Sequence, residues 1–139
     1  MGDLTNNFRR KEFACECGCG FNTVDFELLT ALQHYVDRLK NSTKEKVSIV
    51  VTCGCRCKKH NEKLRVEFIE TKGKSGADTA ENSQHQYGIA ADIKVFVGGK
   101  QLKTKEVAEF FNVNYPHFGI GTYNSFNHID ARSTGAARW

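Results

Sequence analysis

Between residues 24 and 40 apolar side chains recur at three- and four-residue steps: Leu28, Leu29, Leu32, Tyr35, Val36 and Leu39. That period predicts an amphipathic helix with one buried face. Asn22 or Thr23 stands where a cap is needed, and Asp25 and Glu27 suit the positive end of the helix dipole. The pattern then changes. Val47 to Thr52 is β-branched and apolar in character, which predicts a buried strand ending at the Gly54 turn. Lys58 to Leu64 is expected to form a short helix. Residues 71–83, TKGKSGADTAENS, are polar and glycine-bearing and read as a surface loop.

In the second half, Ile89 to Val97 reads as a strand, with Gly98 and Gly99 turning the chain into Gln101. Thr104 offers a cap for a helix running to Phe111, with Val107, Ala108, Phe110 and Phe111 available to the core. Phe118 to Tyr123 and Asn127 to Arg132 predict two paired strands joined at Asn124 and Ser125. No internal repeat is present. The expected fold class is α+β: a mainly antiparallel sheet with helices packed on one side.

Composition narrows this to one domain over residues 1–139. At 40% apolar and 26% charged, the 139-residue chain buries a core without help from metal or disulfide. A single proline and interspersed charges argue against a long linker. The net charge of +4 arises from 20 basic and 16 acidic residues, with no basic stripe. Specific nucleic-acid binding is therefore not expected, although a weak attraction to polyanionic material such as teichoic acid is compatible with it. No stretch approaches the ~18 apolar residues of a membrane span, so no membrane insertion is expected. The opening MGDLTNNFRRKEF has no apolar region of a secretory signal. The expectation is a monomer synthesised in the cytoplasm, with any target outside the membrane reached after release or delivery.

Six cysteines sit in two tight clusters, Cys15-Glu16-Cys17-Gly18-Cys19 and Cys53-Gly54-Cys55-Arg56-Cys57. In an extended segment this spacing puts alternate thiols on one face. Disulfides between clusters, a structural zinc site and free thiols all remain open, because Cys-x-Cys matches the usual Cys-x2-Cys zinc spacing only in part.

The segment richest in chemistry is Ser83-Gln84-His85-Gln86-Tyr87-Gly88-Ile89-Ala90-Ala91-Asp92, followed later by Asn127-His128-Ile129-Asp130. Two histidines and a carboxylate are a recognised catalytic zinc set that leaves a fourth position for water. Spacing alone also admits a bland reading, with the histidines hydrogen-bonded in the core and Asp92 capping or ion-paired. His128 and Asp130 share a face in a strand. His34, in the first helix, and His60, in the charged context of Lys58 and Lys59, are expected to be solvated or partly packed. His117, beside Pro116, has nothing to position it.

Ser-x-His-x-x-x-x-x-Ala-Asp followed by His-x-Asp resembles the zinc D-alanyl-D-alanine carboxypeptidases. That superfamily also holds phage wall endopeptidases and hedgehog-type zinc domains. Phe13-Ala14-Cys15-Glu16-Cys17-Gly18-Cys19-Gly20 resembles the N-terminal motif of a small phage and prophage subgroup. Thr52-Cys53-Gly54-Cys55-Arg56-Cys57 resembles its Thr-Ser-Gly-Tyr-Arg-Cys segment, and Gly119-Ile120-Gly121-Thr122-Tyr123 and Ala137-Arg138-Trp139 also fit.

The resemblance implies a hedgehog/D-Ala-D-Ala-peptidase-like fold, Zn2+ as cofactor, and His85, Asp92 and His128 as its ligands. It implies Arg56 as the cation that meets the substrate carbonyl, and peptidoglycan stem peptides as substrate. Two departures stand out. Ser125 occupies the position where many relatives carry an acidic general base, and Phe126 the position of a first histidine in others. Asp130 is then the nearest carboxylate, either as general base or as the partner that fixes a ligand imidazole. Cys53 and Cys55 replace a serine and an aromatic residue. Two further readings are a zinc-fold module that binds without catalysis, which the missing acid at Ser125 favours, and a cysteine-zinc interaction protein.

Overall fold

In a computed structural model of the chain, residues 2–72 and 83–139 are described. A 3-10 turn, Arg10–Phe13, precedes helix α1 at Phe26–Thr43. The helix starts where the Asp25 carboxylate accepts the Leu28 N–H at 3.1 Å. Asp25, rather than Asn22 or Thr23, is therefore the cap, because its short carboxylate sits one residue before the first turn. Its face of Leu28, Leu29, Leu32, Tyr35 and Val36 is buried as the period predicts.

Strand β1, Val47–Cys53, is at the sheet edge and alternates buried and exposed positions, so it is not the fully buried strand expected. Val50 is 46% exposed because the sheet face it points to is not covered there. Helix α2 spans Lys58–Lys72 and runs well past Leu64. The expected 71–83 loop lies mostly outside the described residues. A second 3-10 turn, Gln84–Tyr87, leads into β2 at Ala90–Val97. The two-residue Gly98-Gly99 turn returns the chain as the short β3, Lys100–Gln101.

Helix α3 is Thr104–Asn114; Thr104 is its first residue, and Lys103 precedes it without a side-chain cap. Strands β4 (Gly119–Thr122) and β5 (Asn127–Asp130) form the expected hairpin. A two-residue β6, Ala137–Arg138, adds a parallel partner to β4 that the sequence pattern did not suggest. The sheet order is β1-β2-β5-β4-β6, with β3 also on β2, and every pairing except β4 with β6 is antiparallel.

Alternation divides the sheet. Ala91, Ile93, Val95, Ile120 and Ile129 face α1 and α3 and join Phe110, Phe111 and Phe118 in one core. The intervening residues, Asp92, His128 and Asp130, face the other way. This is the expected α+β class, with α1 and α3 on one side of the sheet. It leaves the opposite face for chemistry. Among the described residues, no helix is long and apolar enough to cross a membrane.

Candidate metal centre

Asp92 on β2 and His128 on β5 are direct cross-strand partners, as are Ala90 and Asp130. His85 comes from the 3-10 turn before β2, which is fastened to the start of α1 by the Asp25 N–H donating to the Gly88 carbonyl at 2.9 Å. The structure brings the three sequence-predicted ligands together. His85 Nε2 lies 3.3 Å and His128 Nδ1 3.1 Å from the same Asp92 oxygen, Oδ1. Donors at ~2.0–2.1 Å from a tetrahedral ion stand roughly 3.3 Å from one another, so each histidine's separation from Asp92 suits a shared zinc-sized cation.

Each imidazole is held from behind. His85 Nδ1–H donates to the Gly54 carbonyl at 2.6 Å, and His128 Nε2–H donates to Asp130 Oδ2 at 2.7 Å. Those partners turn His85 Nε2 and His128 Nδ1 toward Asp92, the arrangement that metal-binding histidines require. Asp130 is fully buried and clamped by Arg132, whose Nε and Nη2 donate to its two oxygens at 2.7 and 2.6 Å.

Electrostatics follow from this geometry. Burial works against a charged His85, but hydrogen bonds and charge attraction from Asp92 and Cys53 prevail and raise it to about 10. Burial likewise opposes ionised Asp92 and Asp130. The histidine contacts outweigh it for Asp92, and the Arg132 and His128 hydrogen bonds outweigh it for Asp130, so both sit well below the ordinary carboxylate range. With no metal bound, the centre is therefore an ion-paired cluster holding a proton that a cation would displace.

Arg56 arrives on the loop after β1. Its N–H donates to the His85 carbonyl at 2.8 Å, which couples this loop to the first ligand. Its guanidinium is buried, with Nη1 donating to Asn61 at 2.8 Å and Nη2 to the Cys53 sulfur at 3.2 Å. Among the described residues Nε has no hydrogen-bond partner. Among the described residues no carboxylate neutralises Arg56.

Cys53, which the sequence offers both as part of a cysteine cluster and as a departure from the family motif, stands at the centre. A bulge in β1 sets Cys53 opposite Asp92, where Thr52 would otherwise be. Its thiol, the His85 ring and the Asp92 carboxylate form a three-donor group within 4.8 Å. However, Cys53 Sγ approaches the rear nitrogen of His85, 3.7 Å from Nδ1, which already bonds Gly54. The geometry therefore favours His128 over Cys53 as the third donor.

Trp139 is the second neighbour that spacing did not reveal. Its ring lies 5.0 Å from that of His128, with Arg132 stacked on it and its indole N–H donating to Tyr123 at 2.8 Å. Two glycines of β4 make room. A Cβ on Gly121 would meet the Trp139 indole at 2.7 Å, and one on Gly119 would meet the Asp130 carboxylate at 2.5 Å. Ser125 is exposed in the β4–β5 turn. His34 bonds the Tyr115 hydroxyl at 2.8 Å and packs on Phe110, whereas His117 pairs with Glu27 on the surface; neither joins the centre.

No curated protein matches the chain at a significant level. A solved structure of a mutant vancomycin-resistance D,D-pentapeptidase, VanY, in complex with Zn(II) is similar at 21% identity with a TM-score of 0.43. That likeness covers 67% of this chain and 57% of the other. A family model for peptidase M15 matches residues 6–130, a span that contains Arg56, all three converging donors and Asp130. The chain belongs to the peptidase M15 family.

Proposed function

We propose that the chain is a zinc-dependent peptidase hydrolysing peptide bonds of bacterial peptidoglycan, of the D-alanyl-D-alanine carboxypeptidase or L-alanyl-D-glutamate endopeptidase type. The observation that carries this reading is the aim of the donors: His85 Nε2 and His128 Nδ1 converge on Asp92, each imidazole held at its other nitrogen. Membership of a peptidase family supports the reaction class. The resemblance of the sequence motifs to D-alanyl-D-alanine carboxypeptidases supports the substrate class. Their likeness to a phage and prophage subgroup makes wall lysis by a phage, or a virion-borne wall hydrolase, the setting we favour.

His85, Asp92 and His128 would hold zinc, which would supply Lewis acidity for activating a water molecule and polarising a peptide carbonyl. The remaining work falls to the chain's own groups. The motif resemblance makes Arg56 the cation that meets the oxygen of a substrate carbonyl as negative charge develops there, and its backbone bond to His85 places it next to the first ligand in support of that role. Asp130 acts as a positioning residue: with both oxygens engaged and no exposure, it fixes the His128 ring. Trp139 gives the centre an apolar wall on the His128 side.

A second reading is a non-catalytic zinc module. It is favoured by one observation: among the described residues Asp92 is shared by both histidines and Asp130 is saturated, so no spare carboxylate faces the centre as a general base. Mass spectrometry of peptidoglycan treated with the zinc-loaded protein separates the readings. Loss of a terminal alanine identifies a carboxypeptidase, and a new amino terminus within the stem peptide identifies an endopeptidase. Intact wall from several bacterial types, with zinc bound, would leave only the module.

A further inference from the structure

Four thiols gather away from the centre just described. The sulfurs of Cys15, Cys17, Cys19 and Cys57 all lie within 4.8 Å of one another. Cys15 and Cys17 are 3.4 Å apart, and Cys17 and Cys57 3.6 Å. All are free thiols, and these distances are far beyond the ~2.05 Å of a disulfide. Four sulfurs around a tetrahedral zinc at ~2.3 Å would stand roughly 3.8 Å apart. The cluster already approximates that tetrahedron.

Local structure builds this convergence. An extended Cys-x-Cys-x-Cys segment would space successive thiols by roughly 6.6 Å, since each residue advances ~3.3 Å. Here the segment is turned instead: the Gly18 N–H donates to the Cys15 carbonyl at 3.3 Å, and the Cys15 N–H donates to Phe21 at 2.7 Å. Cys57 then arrives from 42 residues beyond Cys15, at the entry to α2. Backbone amides point at the sulfurs, Cys57 N–H to Cys15 Sγ at 3.4 Å and His60 N–H to Cys57 Sγ at 3.3 Å. Backbone N–H groups so placed are ready partners for metal-bound sulfur.

The charge pattern of α2 points the same way. The helix opens with Lys58 and Lys59 and has no acid in its first turn, the reverse of what its dipole favours. A metal tetrathiolate is anionic, and at that end of the helix it would offset both the lysines and the dipole. Cys53 and Cys55 take no part. Cys55 is buried and donates to the Phe21 carbonyl at 2.9 Å, and Cys53 meets Arg56 and His85.

We propose that Cys15, Cys17, Cys19 and Cys57 form a second, structural metal site for a thiophilic divalent cation, zinc foremost. Four protein sulfurs leave no open position, so the ion clasps rather than catalyses. It joins the N-terminal segment to the residue that follows Arg56, and so steadies the loop that bonds the first ligand of the other centre.

The test uses the full chain, purified under a phosphine reductant, with metal content measured directly. Wild type is expected to carry two zinc ions per chain. His85→Ala/His128→Ala removes donors from the other centre and should keep one zinc. Exchanged for Co(II), that ion should show intense sulfur-to-cobalt charge-transfer absorption in the near ultraviolet. Cys17→Ser/Cys19→Ser changes two exposed thiols; it should lose this ion and its absorption, retain the other zinc, and melt at a lower temperature. Wild type also provides a measurement free of folding effects: an organomercurial should release one of the two zinc ions as the thiols react. No metal in the histidine double variant would overturn the proposal. So would cobalt–thiolate absorption that survives the cysteine substitutions, or alkylation mapping that finds Cys57 in a disulfide in the untreated protein. None of these readouts depends on peptidase activity.

Discussion

An imidazole has two nitrogens, and the partner of one decides which faces a metal. For His85 that partner is the Gly54 carbonyl, and for His128 it is Asp130. The donor set is legible in the sequence through the motif resemblance, since spacing alone also admits histidines hydrogen-bonded in the core. The partners behind them are not, since they depend on register and on the bulge that redirects Cys53. The two roles that spacing left open for Asp130 make different predictions. Asp130→Asn keeps the shape and a hydrogen-bonding oxygen but loses the anion behind His128. As a positioning residue it should weaken zinc binding by about 10–100-fold, seen in competition with a chromophoric chelator. Unchanged zinc affinity with turnover reduced by about 100-fold or more would instead mark Asp130 as the base.

Among elements, helix α1 and the β4–β5 hairpin follow directly from period and turn chemistry. The edge position of β1 does not, because apolar runs look alike whether one or both faces are covered. Nor does β6, two residues long and joined in parallel to β4, since so short a strand carries no period. Its consequence is functional: β6 delivers Trp139 to the centre, and Gly121 on β4 leaves the room for it. Gly121→Ala should push the indole aside. Trp139 is the single tryptophan, so its fluorescence reports the change without ambiguity. A red-shifted emission and a loss of about 1 kcal/mol in stability are expected, near the low end for overpacking because the half-exposed ring is able to move. An unchanged spectrum would show that β4 and Trp139 do not touch as described.

The molecule as a whole places an apolar core on one face of the sheet and an ion-paired cluster on the other, and pH tests that cluster directly. In the metal-free protein His85 is raised from 6.5 to about 10, so its contribution to stability is full below pH 6.5 and is lost as pH rises through about 10. Asp92 is lowered from 3.8, so its contribution is full above that pH and is lost as pH falls further. Metal-free protein should therefore melt at its highest temperature between about pH 4 and 6.5 and lose stability toward pH 10, measured by calorimetry. Zinc-loaded protein should not show the alkaline loss, because the cation replaces the proton. A metal-free melting temperature that holds steady toward pH 10 would contradict the pairing. The central claim is that these three donors hold the zinc of a wall peptidase. Its most direct measurement is zinc content beside peptide release from peptidoglycan, for wild type and His85→Ala. The account predicts that the variant loses one zinc ion and all turnover together. Turnover that persists in a variant lacking that zinc would contradict it.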